Sequence, residues 1–128
     1  MNRKIILTAA ILGMTAIILG AFGAHKLKEV LNTAELSTFE TGVKYQMYHA
    51  LFLLFLATVN SISDKAKNSI LYLTVTGVIF FSGSLYLLAA NRLTTFDFKV
   101  IGIITPIGGL LLILAWLLLF INVMKKKA

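Results

Sequence analysis

Residues 5–24 read IILTAAILGMTAIILGAFGA, an uninterrupted run from Ile5 to Ala24 without a charge. A helix crossing the ~30 Å hydrocarbon core of a bilayer needs about 20 apolar residues at ~1.5 Å of rise each. This run therefore predicts a transmembrane helix. Three more stretches of similar character follow outward from it: Tyr45 to Ile62, Ile70 to Ala90, and Val100 to Met124, the last broken only by Pro106. The expected fold class is an all-α membrane protein, an antiparallel bundle of four transmembrane helices in a single membrane domain, residues 1–128. The connections Ser63 to Ser69 and Asn91 to Lys99 are short, as between antiparallel neighbours. Arg3 and Lys4 ahead of the first run, with Ala21-Phe22-Gly23 near its end, imitate a signal peptide. The apolar region of such a peptide is about 7–15 residues, however, and this one is longer. An uncleaved helix is expected.

Composition agrees. Apolar residues make up 59% of the chain and charged residues 13%, against about 45–50% and 25% in a soluble domain. Water cannot cover that much apolar surface with so few charges, whereas lipid can. The net charge of +7 lies in small groups between apolar runs, a pattern of membrane anchoring rather than of a phosphate-binding face, and no nucleic-acid partner is expected. The absence of cysteine excludes disulfides, thiol redox chemistry, thiolate metal sites and iron–sulfur clusters.

Residues 26–44 form the one long connection. Leu36, Phe39 and Val43 share a helical face, and both Asn32-Thr33-Ala34-Glu35 and Ser37-Thr38-Phe39-Glu40 fit a capping box. The segment reads as an amphipathic helix in the membrane interface running into the second span, with Gly42 as a bend, or else as an extended start to that span. Orientation follows from the basic residues. Arg3, Lys4, Lys65, Lys67, Lys125, Lys126 and Lys127 share one side, which with Asp64 nets +6. Lys26, Lys28, Lys44, Arg92 and Lys99 share the other, which with Glu29, Glu35, Glu40 and Asp97 nets +1. Both termini are expected in the cytoplasm of a bacterial cell whose inner membrane holds the chain.

In that topology the polar, small and aromatic residues collect in the outer half. His25 closes the first span, Gln46, Tyr48 and His49 open the second, Ser82 and Ser84 lie near the end of the third, and Thr105 begins the fourth. These seven are the candidate polar cluster or ligand site. Ala16, Gly20, Ala24, Gly83, Pro106 and Gly109 are candidate helix-packing positions, because small residues let helices approach closely. Pro106 is also expected to kink the fourth span, with Thr105 satisfying the backbone it frees. Packing and pocket remain two open readings of the same cluster. His49 is the best single functional candidate, since an ionisable group inside a span is costly and usually faces the bundle interior. Two histidines without a carboxylate or thiol make a thin metal site. A bis-histidine haem is conceivable chemically but not demanded by the spacing, so no metal or cofactor is expected. A serine hydrolase built on Ser82 or Ser84 with His49 is a weaker reading still, since it needs a base geometry and an oxyanion hole that a sequence does not show. No Asp or Glu lies inside a span, which disfavours proton-coupled export, and no catalytic sequence motif is present.

Gly20-Ala21-Phe22-Gly23-Ala24-His25, the stretch from Phe39 through Tyr45-Gln46, Tyr48-His49-Ala50-Leu51, then Phe81-Ser82-Gly83-Ser84-Leu85-Tyr86, and Thr105-Pro106-Ile107-Gly108-Gly109 with Trp116 resemble, in this order, a family of small bacterial four-span membrane proteins of unknown function related to the eukaryotic transmembrane protein 256. The resemblance implies an inner-membrane protein of four helices, with no established activity and no role to carry onto any residue. The sequence thus points to a non-enzymatic protein whose partners are the lipid bilayer and either further copies of itself or another membrane protein. A site for a lipid, quinone or haem in the outer half is the alternative.

Overall fold

A computed structural model describes residues 2–93 and 99–125; Asp97, Lys126 and Lys127 of the charge tally lie outside them. Among the described residues there are four long helices: α1 (Asn2–Phe22), α2 (Thr33–Thr58), α3 (Asp64–Ala89) and α4 (Ile104–Lys125). No strand occurs among the described residues. Among the described residues, three helical stretches are long and apolar enough to cross a membrane: Asn2–Val30, Asp64–Ala89 and Ile101–Lys125. Helix α2 is not among them, because Glu35, Glu40, Lys44, Gln46 and His49 lie along it. Its burial offsets that polarity. Nine of its residues are buried, among them Gln46 and His49, against three each in α1 and α4, so its most polar mid-helix side chains face its neighbours.

Each helix packs mainly on the next in sequence. Along α1 and α2, Gly13 faces Ala50, Gly20 faces Val43 and Gly23 faces Phe39, so rising numbers meet falling ones. Ile5 and Ala9 of α1 join Leu53 and Leu56 of α2, Ile70 and Leu71 of α3, and Ala115 of α4 in one apolar core. At that end the Lys67 ammonium donates to Asn2 Oδ1 at 2.9 Å. Lys4 donates to the Tyr72 hydroxyl at 2.7 Å and lies 4.6 Å from that ring's centre. The opposite end is clasped by Arg92, whose Nε and Nη2 donate to the two Glu35 oxygens at 2.9 and 2.8 Å while Nη2 also reaches the Val30 carbonyl.

Several local expectations change. Helix α1 does not stop near Ala24. It widens into a π-helical turn, Gly23–Leu27, and ends with Lys28–Val30 before an extended break at Leu31. Gly23 sits against the Phe39 ring, where a Cβ would stand 2.9 Å from Cε2. Of the two capping boxes, Asn32 and Glu35 form the real one: Glu35 N–H donates to Asn32 Oδ1 at 2.8 Å and Asn32 N–H to Glu35 Oε1 at 2.9 Å. Helix α2 then runs through Gly42 as one helix. Ser63 is no loop residue but the N-cap of α3, accepting from Ala66 N–H at 3.1 Å, so Lys65 and Lys67 belong to the first turns of a helix. Pro106 falls in the first turn of α4, where its missing N–H has no helical partner to lose. It starts the helix rather than kinking it.

Candidate functional site

The expected cluster divides into residues that meet and residues that do not. Gln46, 5% exposed, is the centre of the larger group. Its amide nitrogen donates to Thr15 Oγ1 at 2.7 Å and to the Leu12 carbonyl at 3.0 Å, both on α1. Its amide oxygen accepts from the Tyr86 hydroxyl of α3 at 2.6 Å. One turn earlier on α2, the Gly42 carbonyl accepts from Ser82 Oγ at 2.7 Å, and the Tyr86 ring occupies the space that a Gly42 side chain would need. Three helices are tied here by one amide, three hydroxyls and a glycine.

A second group joins α4. Ser84 and Thr105 share a hydroxyl bond of 2.6 Å, and Ser84 also donates to the Phe81 carbonyl. His49 Nδ1 lies 2.7 Å from the Tyr45 carbonyl and its Nε2 lies 3.1 Å from the Trp116 indole nitrogen. A carbonyl only accepts and an indole N–H only donates. The imidazole therefore carries its proton on Nδ1 and is neutral, with both nitrogens committed. The Trp116 ring packs against Phe52 with centroids 4.3 Å apart and planes inclined by 42°, completing a bridge from α2 to α4. A shallow groove of about 320 Å³ lies over this bridge, lined by Tyr45, His49, Phe81, Leu112, Ile113 and Trp116 among others.

Two expected members lie elsewhere. Tyr48 is 52% exposed on the outer face of α2, its ring 5.4 Å from that of Tyr45. His25 is exposed in the π-helical turn. That turn lies level with Phe39, ten residues and so ~15 Å along α2 from His49. The two imidazoles do not converge, and the residues present do not fit a bis-histidine haem. Among the described residues no three His, Asp or Glu side chains gather as metal ligands.

The packing positions also sort themselves. Ala16 is buried and Gly20 lies against Val43. Ala24 is exposed, a Cβ on Gly83 would meet nothing within 4 Å, and one on Gly109 would touch Phe81 at an ordinary 3.6 Å. The closest approach is at Gly108, where a Cβ would stand 2.3 Å from Phe81 N and 2.8 Å from Phe80 C. Thr15, Tyr86, Trp116 and Gly108 thus complete a set that sequence reasoning recognised only in part. Tyr86 and Trp116 stand in the stretches that carry the family resemblance, but their partners depend on helix rotation. No buried side-chain nitrogen or oxygen among the described residues lacks a partner.

Comparison with known proteins agrees with this picture of a membrane protein. Residues 19–109 match the family described as a protein of unknown function, DUF423. A UPF0382 membrane protein of Staphylococcus saprophyticus is 42% identical over 123 residues, covering 96% of this chain and 98% of the relative. The UPF0382 membrane protein YwdK of Bacillus subtilis is 35% identical, covering 96% and 98%. The UPF0382 inner membrane protein YgdD of Escherichia coli is likewise 35% identical, covering 98% and 93%. No solved structure matches the chain.

Proposed function

The chain belongs to the DUF423 family of multi-pass membrane proteins of unknown function, and on that premise we propose that it is a non-enzymatic protein of the bacterial cell membrane. It crosses the membrane four times as an antiparallel bundle, both termini in the cytoplasm, and acts by associating with lipid, with itself or with a partner membrane protein. Crossing by α2 is supported by its burial between α1 and α3 and by the opposite placement of its ends: Glu35 in the Arg92 clasp, Ala57 in the core at the Asn2 end. The inner-membrane location is supported by the name of the Escherichia coli relative.

The observation carrying the non-enzymatic reading is the closure of the polar layer. A nucleophile or general base must have a lone pair or proton free for substrate. His49 has both ring nitrogens engaged, and Ser82, Ser84, Gln46 and Tyr86 give their protons to other helices or to their own helix. In lipid such bonds act as adhesive between helices. The outward surface offers Ile6, Ile11, Ile17 and Ile18 on α1 and Ile107, Leu110, Ile113 and Phe120 on α4, which suits association in the bilayer. The chain purified in mild detergent, weighed intact, tests this reading. Lipid, further copies of the chain or another membrane protein are expected with it. A stoichiometric small molecule that is not a lipid, released by Ser84→Ala or His49→Phe, contradicts it. The groove over His49 favours a second reading, an apolar lipid or quinone tail resting there. In the same experiment, loss of the bound lipid or quinone from His49→Phe decides for it, and retention decides against it.

A further inference from the structure

A second, larger groove runs along the other half of the α2–α4 seam. It has a volume of about 560 Å³ and is lined by Phe55, Val59, Trp116, Leu119, Phe120 and Val123, with Ser61 and Met124 at its end. The volume lies within the ~300–1,000 Å³ of small-molecule sites. Trp116 to Met124 covers ~12 Å of helix, close to half of the ~30 Å hydrocarbon core and so to the depth of one leaflet. The groove is open to lipid along its side, and its mouth is at the basic end of the molecule. Lys125 follows Met124 there, and Lys65 lines an adjoining notch with Ser63 and Asn122. Arg3, Lys4 and Lys67 lie at the same end, and Asp64 is the one acid there among the described residues.

The geometry points to a binding site for an anionic phospholipid, one acyl chain in the groove and the phosphate between Lys125, Lys65 and the Ser61 hydroxyl. The lipid comes from the leaflet on the side of the N-terminus. Charge selects this occupant over a second copy of the chain. Two copies meeting in the same orientation at this seam would bring four lysines together, whereas an anionic headgroup neutralises them. The site lies in the opposite half of the bundle from the polar layer around Gln46. It rests on the proposed topology only for which leaflet supplies the lipid.

Trp116 is the single tryptophan and lines the groove, so its fluorescence reports the occupant. The full chain is reconstituted in phosphatidylcholine vesicles containing a minor fraction of acyl-brominated phosphatidylglycerol, or the same fraction of acyl-brominated phosphatidylcholine. Identical lipid in both leaflets makes the reading independent of orientation. The brominated anionic lipid is expected to quench more strongly, and the preference to fall about fivefold for each of Lys65→Gln and Lys125→Gln. Equal quenching by the two lipids identifies ordinary boundary lipid and overturns the proposal. So does a preference that survives both substitutions. Quenching by neither lipid, with cross-linked dimers in the same vesicles, gives the groove to a second copy and overturns it as well.

Discussion

Replacing Gly108 by alanine adds one carbon at the glycine with the closest approach to a neighbouring helix. That carbon would stand 2.3 Å from Phe81 N and 2.8 Å from both Phe80 C and Phe81 Cα, where ordinary contact is ~3.5–4.0 Å. All three neighbours are backbone atoms of α3 and cannot rotate aside. Helix α4 must therefore retreat by about 1 Å or more, as far as the contact shortfall requires. Its retreat loosens Leu112 from Gly77 and stretches the 2.6 Å bond between Ser84 and Thr105. Overpacking of this kind costs about 1–3 kcal/mol, and a lost hydrogen bond between membrane helices adds about 0.6 kcal/mol. A loss of roughly 2–4 kcal/mol follows. Gly83→Ala, on the same helix pair, meets nothing within 4 Å and gains helix propensity, so it should be neutral or more stable by up to about 1 kcal/mol. Unfolding in mixed micelles of rising denaturing-detergent fraction, followed by circular dichroism, measures both. Equal stability of Gly108→Ala and wild type, or equal damage from the two substitutions, refutes the packing argument.

Gln46→Leu strands the Tyr86 hydroxyl and removes the donor to Thr15 Oγ1, which keeps its bond to the Ile11 carbonyl; a loss of about 1–2 kcal/mol is expected in the same unfolding assay. His49→Phe leaves the Trp116 indole N–H without its acceptor, so tryptophan emission should shift to shorter wavelength; an unchanged spectrum would dispute the 3.1 Å bond. The Glu35 carboxyl is held at about 2 instead of its ordinary 4.5, chiefly by the Arg92 hydrogen bond and then by Asn32 N–H. Because the folded value is the lower one, the clasp's contribution is complete above about pH 4.5 and is lost as pH falls toward 2. Melting profiles of the wild type should steepen across that acid window, and Glu35→Gln should flatten the dependence.

The long helices were legible because a bilayer leaves a chain few alternatives: backbone groups in lipid must bond within the segment. The capping box at Asn32 was legible for a similarly local reason, since both partners lie within one turn. Rotation of one helix against the next was not. Gly108 and Gly109 differ by about 100° around α4, so the first presses on the backbone of Phe80 and Phe81 while the second meets only the edge of the Phe81 ring at an ordinary distance. His49 stood out as an ionisable residue in a span, yet its bond to Trp116 joins residues 67 apart in sequence. The Gln46–Tyr86 bond likewise depends on register between α2 and α3. His25 and Tyr48 were grouped with the cluster by height in the membrane, a coordinate that says nothing of direction, and both face outward. The π-helical turn at Gly23 answers to the Phe39 ring, a contact that no local pattern announces.

The central claim is that α2, the least apolar of the long helices, crosses the membrane. The chain has no cysteine, so single cysteines can be placed at Thr33 and Asn60, exposed positions flanking the two ends of α2. Labelling with a membrane-impermeant maleimide in intact cells and in permeabilised ones reads the side of each. Thr33→Cys should react in intact cells, and Asn60→Cys only after permeabilisation. Reaction of both positions from the same side would mean that α2 does not cross, and would contradict the four-span account.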